Sequence, residues 1–288
     1  MCKLIDDIKS FLERRGFECS LQVRNGLDVI CVPISEAGTY RIILPLEVRS
    51  TDPETAVAES EYNRNIIRLI SASESYPLVI TEDRWHKQRM MMEKRLLAHL
   101  EIFSQVYARN CEVRKIDKDT AKTFLHENHS YGHAACRYCY GLYLKRHTGH
   151  NLASGASLEP GTLVAVASFS NARRWQKEGK EILSYEWTRY ASLPQLRLCG
   201  GMGKLLKTFI IDIKPDDIMS YADLEWSEGS VYKELGFTLE GYKEAVLFRV
   251  DTDTWKRTAV RTHEEAGKEV RYFCNFGSNK YRMKLTEY

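Results

Sequence analysis

The chain has no run of about 18 apolar residues, which excludes a membrane-spanning helix. It has no low-complexity tract. It has almost no excess charge: 42 Lys and Arg stand against 39 Asp and Glu, a net +3. An overall electrostatic case for nucleic acid therefore fails, and any such surface must be local. The eight cysteines follow no framework spacing, so reduced thiols are expected rather than disulfides. The opening MCKLIDDIKSFLERRGF carries acids within an amphipathic helix and does not read as a signal peptide. These absences point to a cytoplasmic chain with no membrane partner. No Gly-Lys-Ser/Thr follows a glycine loop, so a P-loop is excluded too.

What is present is globular: 43% hydrophobic and 28% charged residues over 288 positions, enough for one large or two ordinary domains. A division near residue 112 gives domains 1–111 and 112–288. The first part opens with a helix over Leu4–Arg15, its apolar face Leu4, Ile5, Ile8, Phe11 and Leu12, ended by Gly16. Strands are expected at Ser20–Val23, Asp28–Val32, Tyr40–Val48 and Leu78–Ile80. A polar helix covers Asp52–Ile70 and a long helix Asp83–Phe103. Helix and strand at this density predict a small α/β domain.

The most informative stretch runs from Glu186 to Phe237. A strand, Ser184–Ala191, leads to a glycine loop, Cys199-Gly200-Gly201-Met202-Gly203-Lys204. A helix follows with Leu205, Leu206, Phe209 and Ile210 on one side, then a strand at Ile218–Ala222 and a short helix ending YKELGF. Glycines before a helix let backbone N–H groups approach a ligand, and the helix start adds partial positive charge, which together suit phosphate. Three glycines there also make a tight strand-to-helix turn. The loop comes late and follows Pro194 and a polar bend, which disfavours a dinucleotide fold.

The order strand, glycine loop, helix, strand, Tyr-x-x-x-Gly-Phe resembles the GNAT superfamily of acyl-coenzyme A-dependent N-acyltransferases, over Arg114 to Val250. The resemblance implies a mixed sheet flanked by helices, with two central strands that splay apart around the pantetheine arm. It implies acetyl-CoA or another acyl-CoA as donor, its pyrophosphate bound at Cys199–Lys204. It implies a general base at Glu186 and a proton donor to the departing thiolate at Tyr232. The family loop is Gln/Arg-x-x-Gly-x-Gly/Ala. Gly201 and Gly203 fit it, but Leu198 holds the Gln/Arg position and Arg197 is one residue early. Tyr232 also reads as an ordinary packing residue of an amphipathic helix.

The N-terminal part looks like the Vsr-like branch of the PD-(D/E)xK nuclease fold, as fused to GNAT-like domains in some phage-type proteins. ITEDRWHKQ through YARNCEVRKIDKDTAKTFLHENHSYG carries this resemblance. It implies Asp28 in GLDVI and Glu47 in PLEVR as remnants of a Mg²⁺ site. Arg49 stands where a catalytic lysine is expected, and arginine cannot act as a base. A degenerate nuclease used for binding or scaffolding is the expected reading. Asp28 also suits a turn after Asn25-Gly26.

HENHSYGHAACRYCYGLYL gathers His126, His129, His133, Cys136 and Cys139. With one Cys-x-x-Cys entering a strand, the two thiols share an ion only if the chain bends between them, and no metal is assigned. His129 falls near the acceptor side of GNAT-like folds. Arg189 shares a strand with Glu186 and faces the opposite side if that strand is regular. Asp223 ends the next strand, as a catalytic group or a turn carboxylate. Arg173, Arg174 and Trp175 fall in a loop that suits nucleic acid or plain solvent.

Glu186, Arg189, Ser220-Tyr221-Ala222-Asp223, Gly229, Tyr232, Gly236 and Phe237 are similar to the Mom-type DNA-modifying proteins of phages. The tail VRYFCNFGSNKYRMKL fits a strand hairpin on the sheet that could also line a nucleic-acid groove. The expectation is an α/β (α+β) protein in two domains, an acyltransferase whose acceptor amine lies on nucleic acid, chiefly DNA. The alternatives are a metal-dependent DNA endonuclease with a GNAT-like recognition domain, and a catalytically inactive DNA-binding protein.

Overall fold

The computed structural model describes residues 3–34, 40–74, 76–146, 158–260 and 270–287. Its elements begin with α1 (Lys3–Glu13), β1 (Ser20–Arg24), β2 (Leu27–Pro33), β3 (Tyr40–Leu46), α2 (Pro53–Ser73), β4 (Leu78–Thr81), α3 (Glu82–Lys87) and α4 (Arg89–His99). There follow β5 (Ser104–Tyr107), β6 (Cys111–Lys115), α5 (Lys118–Asn128), β7 (Tyr138–Leu144), β8 (Leu163–Phe169), β9 (Arg173–Lys177), β10 (Lys180–Ser192) and β11 (Leu196–Cys199). Last come α6 (Gly201–Ile213), β12 (Asp217–Asp223), α7 (Ser230–Glu234), β13 (Thr238–Lys243), β14 (Leu247–Asp251), β15 (Arg257–Ala259), β16 (Val270–Cys274) and β17 (Ser278–Lys284). The fold is mixed α/β, with sheets flanked by helices.

The chain forms two compact units. The first takes Met1–Leu100, Asp223–Glu228 and Tyr242–Ser278, and the second takes Glu101–Ala222, Gly229–Gly241 and Asn279–Tyr288. The sequence reading gave residues 223–228 and 242–278 to the second domain. The structure gives them to the first.

In the first unit a four-stranded sheet, β1-β2-β3-β4, is antiparallel except for the parallel β3–β4 pair. Alternation along its strands builds two cores. Ile30, Val32, Ile43, Leu78 and Ile80 face α1, Trp85 and Leu96. Val29, Cys31, Ile42, Leu44 and Val79 face Ile66, Ile67 and Ile70 of α2, with Phe276 added from the late segment. Asn25 and Gly26, both at positive φ, turn β1 into β2, so Asp28 sits on β2 opposite Val23 rather than in the turn. Asp52 caps α2 by accepting from the Thr55 amide at 2.8 Å, with Pro53 opening the helix.

The single long helix expected over Asp83–Phe103 is broken. Gln88, at φ −123° and ψ 39°, separates α3 from α4, and Ser104 enters a strand. The expected tail hairpin is also corrected. β16 joins the three-stranded β15-β14-β16 sheet of the first unit, while β17 joins an eight-stranded sheet. Gly277, at φ +74°, lies between them.

Late residues are tied into the first unit by buried ions. Glu225, 2% exposed, accepts from Arg84 Nε at 2.8 Å and from Arg257 Nη1 at 2.9 Å. Arg257 Nη2 donates to Asp83 and Thr81, each at 2.9 Å. Burial works to raise the Glu225 pKa, but the two guanidinium charges outweigh it and hold the carboxyl below its ordinary value. Arg95 lies over the Trp226 ring at 3.7 Å and donates to the carbonyls of Val79, Glu225 and Trp226.

The eight-stranded sheet runs β13-β17-β12-β10-β8-β7-β6, with β9 paired to β10. Leu205, Leu206 and Phe209 of α6 pack on one face, where Phe209 stacks on Phe169 at 3.8 Å. Ala121, Phe124 and Leu125 of α5 pack with Cys139, Val166 and Ala191 on the other.

His99 makes the first unit acid-sensitive. Its Nε2 is buried without a partner, and burial, with Arg41 and Arg95 nearby, lowers its pKa to about 4 from 6.5. The unfolded chain takes up this proton as pH falls through the ordinary value, and the folded chain does so only near the lowered one. Stability is therefore lost on acidification across that window. By about pH 4.5 the loss is on the order of 2 kcal/mol. Urea unfolding at neutral and acidic pH should give a shallower acid slope for His99→Leu than for the natural chain. Equal slopes would mean that His99 does not carry the effect.

Candidate functional site

The centre of the site is a gap between two parallel strands. β10 and β12 pair only at Ser184↔Asp217, Tyr185↔Ile218 and Glu186↔Met219. Both strands continue, β10 to Ser192 and β12 to Asp223, without further ladder pairs. One side-chain bridge crosses just beyond the last rung, from the Ser220 hydroxyl to the Trp187 carbonyl at 3.0 Å.

A bulge in β10 accounts for the parting. Against β8, Trp187 opposes Phe169 and Arg189 opposes Ser168, so Thr188 is the extra residue. The Thr188 hydroxyl donates to the Ser168 carbonyl at 2.9 Å and fixes the bulge. The bulge also breaks the alternation that would send Glu186 and Arg189 to opposite faces, and the Glu186 charge acts on Arg189. The Glu186 backbone is held on both sides by Ser170, whose Oγ accepts from Glu186 N and whose N donates to Glu186 O, each at 2.9 Å.

Arg189 is half-buried. Its Nε donates to the Gly132 carbonyl at 3.2 Å and its Nη1 to the Thr188 carbonyl at 2.7 Å. Burial lowers its pKa, and Glu186, Tyr131 and Tyr232 oppose that. Gly132 lies three residues past His129, which ends α5 and accepts at Nδ1 from the Tyr131 amide at 3.1 Å. The imidazole acceptor nitrogen fixes the proton on Nε2 when the ring is neutral. The expected acceptor-side residues His129 and Arg189 are thus joined through one short turn.

Tyr232 lies on α7. Its hydroxyl is 2.9 Å from Ser220 Oγ. Ser220 has one proton and the Trp187 carbonyl can only accept, so the phenol donates to Ser220. Burial raises the Tyr232 pKa, while Ser220 and Arg189 pull it back. The group is a neutral phenol at pH 7. Its ring stacks on Tyr281 at 5.3 Å and meets Trp187 and Phe237 edge-on. Gly229 makes this packing possible. It has φ +85°, and a Cβ there would lie 2.6 Å from Tyr281 and 2.7 Å from Ala222.

The glycine loop is more ordered than a bare turn. β11 pairs with β5, and Gly200, at φ +75°, caps α6. Gly201, Met202 and Gly203 form the first helical turn, whose N–H groups have no acceptor within the helix. Gly201 is there for close packing: a Cβ would sit 3.0 Å from Leu198 Cβ. Lys204 turns away from the helix start, and its ammonium donates to the carbonyls of Ala108 at 2.9 Å and Cys111 at 2.6 Å. Any anion at α6 meets backbone amides rather than that lysine. Cys199 Sγ accepts from Gln105 Nε2 at 3.1 Å.

Arg173, Arg174 and Trp175 are not in a loop. They form β9, an exposed strand hairpinned to β10 with Arg174 opposite Leu183, and Arg174 pairs with Glu181 at 3.1 Å. The reason is a tight Glu178-Gly179 turn, both at positive φ. Asp223 belongs to the first unit, where its Oδ1 accepts from the Glu225 amide at 2.9 Å and its Oδ2 faces Arg84 at 3.9 Å. Asp28 is exposed on β2, and Glu47 pairs with Arg49. Cys136 and Cys139 bring their sulfurs to 3.4 Å because Cys136 precedes β7. Among the described residues no group of three or more His, Cys, Asp or Glu could hold a metal, and no helix is long and apolar enough to cross a membrane. Ser170 was invisible in the sequence, since only strand pairing brings it to Glu186. Ser220 was visible within SYAD but without a role.

No family model matches the chain, and no curated protein does. Similar solved structures include a protein of unknown function from Enterococcus faecalis V583 described as a probable N-acyltransferase. It is 15% identical over 51% of this chain and 36% of that one, with a TM-score of 0.32, so the match spans about a third of its length. A Salmonella typhimurium protein assigned as an acetyltransferase, solved with its cofactor acetyl-CoA, is 14% identical over 62% of this chain and 96% of that one, TM-score 0.34. A GNAT-family acetyltransferase from Bacillus anthracis is 15% identical over 61% and 95%, TM-score 0.30. Scores this low leave the functional reading to the site's own geometry.

Proposed function

We propose that the second unit is an acyl-CoA-dependent N-acyltransferase of the GNAT type that moves an acyl group, from acetyl-CoA or another acyl-CoA, to an amine on nucleic acid. The observation that carries this reading is the three-rung parallel pair β10–β12, which ends at Glu186 and Met219 with Ser220 and its partner Tyr232 just beyond. The residues fit the cofactor. The first-turn amides of Gly201, Met202 and Gly203 suit pyrophosphate at a helix start. The gap beyond Glu186 and Met219 offers unpaired strand edges to the amide groups of the pantetheine arm.

Bound acyl-CoA supplies an activated thioester. Glu186 acts as the base that takes a proton from the acceptor amine, directly or through one water. Tyr232, kept neutral by burial, delivers a proton toward the departing thiolate, and Ser220 aims it. Arg189 and His129 border the acceptor side. Asp223 has a structural role here, closing a turn and facing Arg84.

The nucleic-acid acceptor rests on different residues. The β9–β10 hairpin is an exposed ribbon carrying Arg173, Arg174, Trp175, Lys177 and Lys180. Basic residues with an aromatic suit backbone and base contacts. The first unit, with Asp28 and Glu47 toward the same end of its sheet, fits a degenerate nuclease-like scaffold. Arg49 on Glu47 argues against an active endonuclease.

Calorimetry should detect acetyl-CoA binding to the natural chain. Gly203→Asp should abolish it while preserving folding, since a carboxylate suits a helix start but repels phosphate, and its Cβ meets only the flexible end of Leu235 at 3.3 Å. Absence of binding to the natural chain would sink the acyltransferase reading.

With a bound acceptor, Tyr232→Phe should lower turnover by roughly two to four powers of ten without loss of folding. Unchanged turnover would leave Tyr232 a packing residue only.

Fluorescence anisotropy with short DNA should show affinity that falls with salt. The double variant Arg173→Ala, Arg174→Ala should flatten that dependence by about 0.9 in log–log slope for each duplex phosphate that is no longer neutralised. If no nucleic acid binds at low salt, the acceptor is a small amine or a protein.

A further inference from the structure

We infer that Cys136 and Cys139 form a vicinal dithiol site that closes to an internal disulfide by exchange with a low-molecular-weight disulfide. The sulfurs lie 3.4 Å apart, whereas a disulfide needs about 2.05 Å, so little movement separates the two states. The two residues are unequal. Cys139 is buried on β7 between α5 and the sheet, its carbonyl accepting from Ile116 N at 3.1 Å. Cys136 is partly exposed and lies in the non-regular segment before β7, outside the strand that holds Cys139. No other contact between cysteine sulfurs is found among the described residues, and Cys2 lies outside them.

The exchange balances as follows. The Cys136 thiolate attacks one sulfur of the small disulfide, whose S–S bond breaks and releases one small thiolate. Cys139 sulfur, after losing its proton, attacks Cys136 and expels the second. Two protein thiols are oxidised, one small disulfide is reduced to two thiols, and the two protons go to the departing thiolates. Burial, together with the neighbouring sulfur, pushes the Cys139 thiol up to about 12, which gives the first attack to Cys136.

Closure would tie the start of β7 to the segment that runs from Gly132, whose carbonyl takes the Arg189 Nε hydrogen bond. The site stands on the sulfur geometry alone and does not depend on the acyltransferase reading.

The test uses the full chain, reduced, desalted and then treated with excess oxidised glutathione. Denaturing alkylation and peptide mass spectrometry should find Cys136 and Cys139 protected together, in a peptide lighter by two hydrogens. Cys136→Ser should leave Cys139 alkylated, and Cys139→Ala should leave Cys136 carrying glutathione. Phenylarsine oxide, which bridges close thiols without oxidation, should bind the natural chain and lose that binding in Cys136→Ser. That variant changes a part-exposed position, so the result does not depend on whether Cys139→Ala folds. Persistent glutathione on Cys136 of the natural chain, alkylation of both thiols, or protection of Cys19 or Cys199 instead would overturn the proposal.

Discussion

The site depends on a clamp at one end of two strands. β10 and β12 are held together where Ser184 donates to Asp217 at 2.6 Å and Arg282 reaches the same oxygen at 2.5 Å. Asp216 adds a second tie by accepting from the Leu183 amide at 2.7 Å. Asp217 is fully buried, and loss of Arg282 would take away the guanidinium that its carboxylate pairs with there. Glu240 in turn holds Arg282, and the guanidinium keeps the Glu240 carboxyl below its usual range. With one end fixed this firmly, the bulge at Thr188 converts a local irregularity into a directed opening. Of the proposed catalytic groups, Glu186 is on the last rung and Tyr232 with its partner Ser220 lies just beyond it, while the polar clamp sits at the first rung.

The same logic of buried charge recurs in the first unit. Glu225, buried in the core, is charged there because it meets two arginines, Arg84 and Arg257. Such a network adds little net stability over an apolar core, but loss of one member leaves its partners charged and buried, at about 3–5 kcal/mol. Its effect is selective: the Asp223–Glu228 segment fits in one place.

The sequence disclosed what local periodicity encodes. The α1 face, the α6 apolar stripe and the glycine-opened start of α6 all follow from short-range pattern. Three things lay beyond it. The pairing of Ser170 with Glu186 and the Thr188 bulge are properties of strand register, which no single strand carries. The path of β16 and β17 into different sheets depends on a tertiary choice between two similar aromatic-basic strands. The break at Gln88 falls in a stretch whose helical propensity runs on, and tertiary packing of Trp85 and Met92 into one core overrides it. The role of Lys204 was likewise hidden. A lysine beside a glycine loop looks like a phosphate ligand until the carbonyls of Ala108 and Cys111 are seen to take its ammonium.

The late segments have a consequence for how the chain is made. Phe276 completes one core of the first unit, the Asn275 carbonyl accepts from Ser60 at 2.7 Å, and Arg257 meets Asp83. During synthesis, an N-terminal domain generally folds as soon as it clears the ribosome. Here the first hundred residues must wait for partners more than 170 positions downstream, by which time nearly all of the second unit has emerged. The unit that starts first therefore waits almost as long as the second, whose strand β17 follows directly, and its half-built apolar faces stay exposed on the nascent chain throughout that wait.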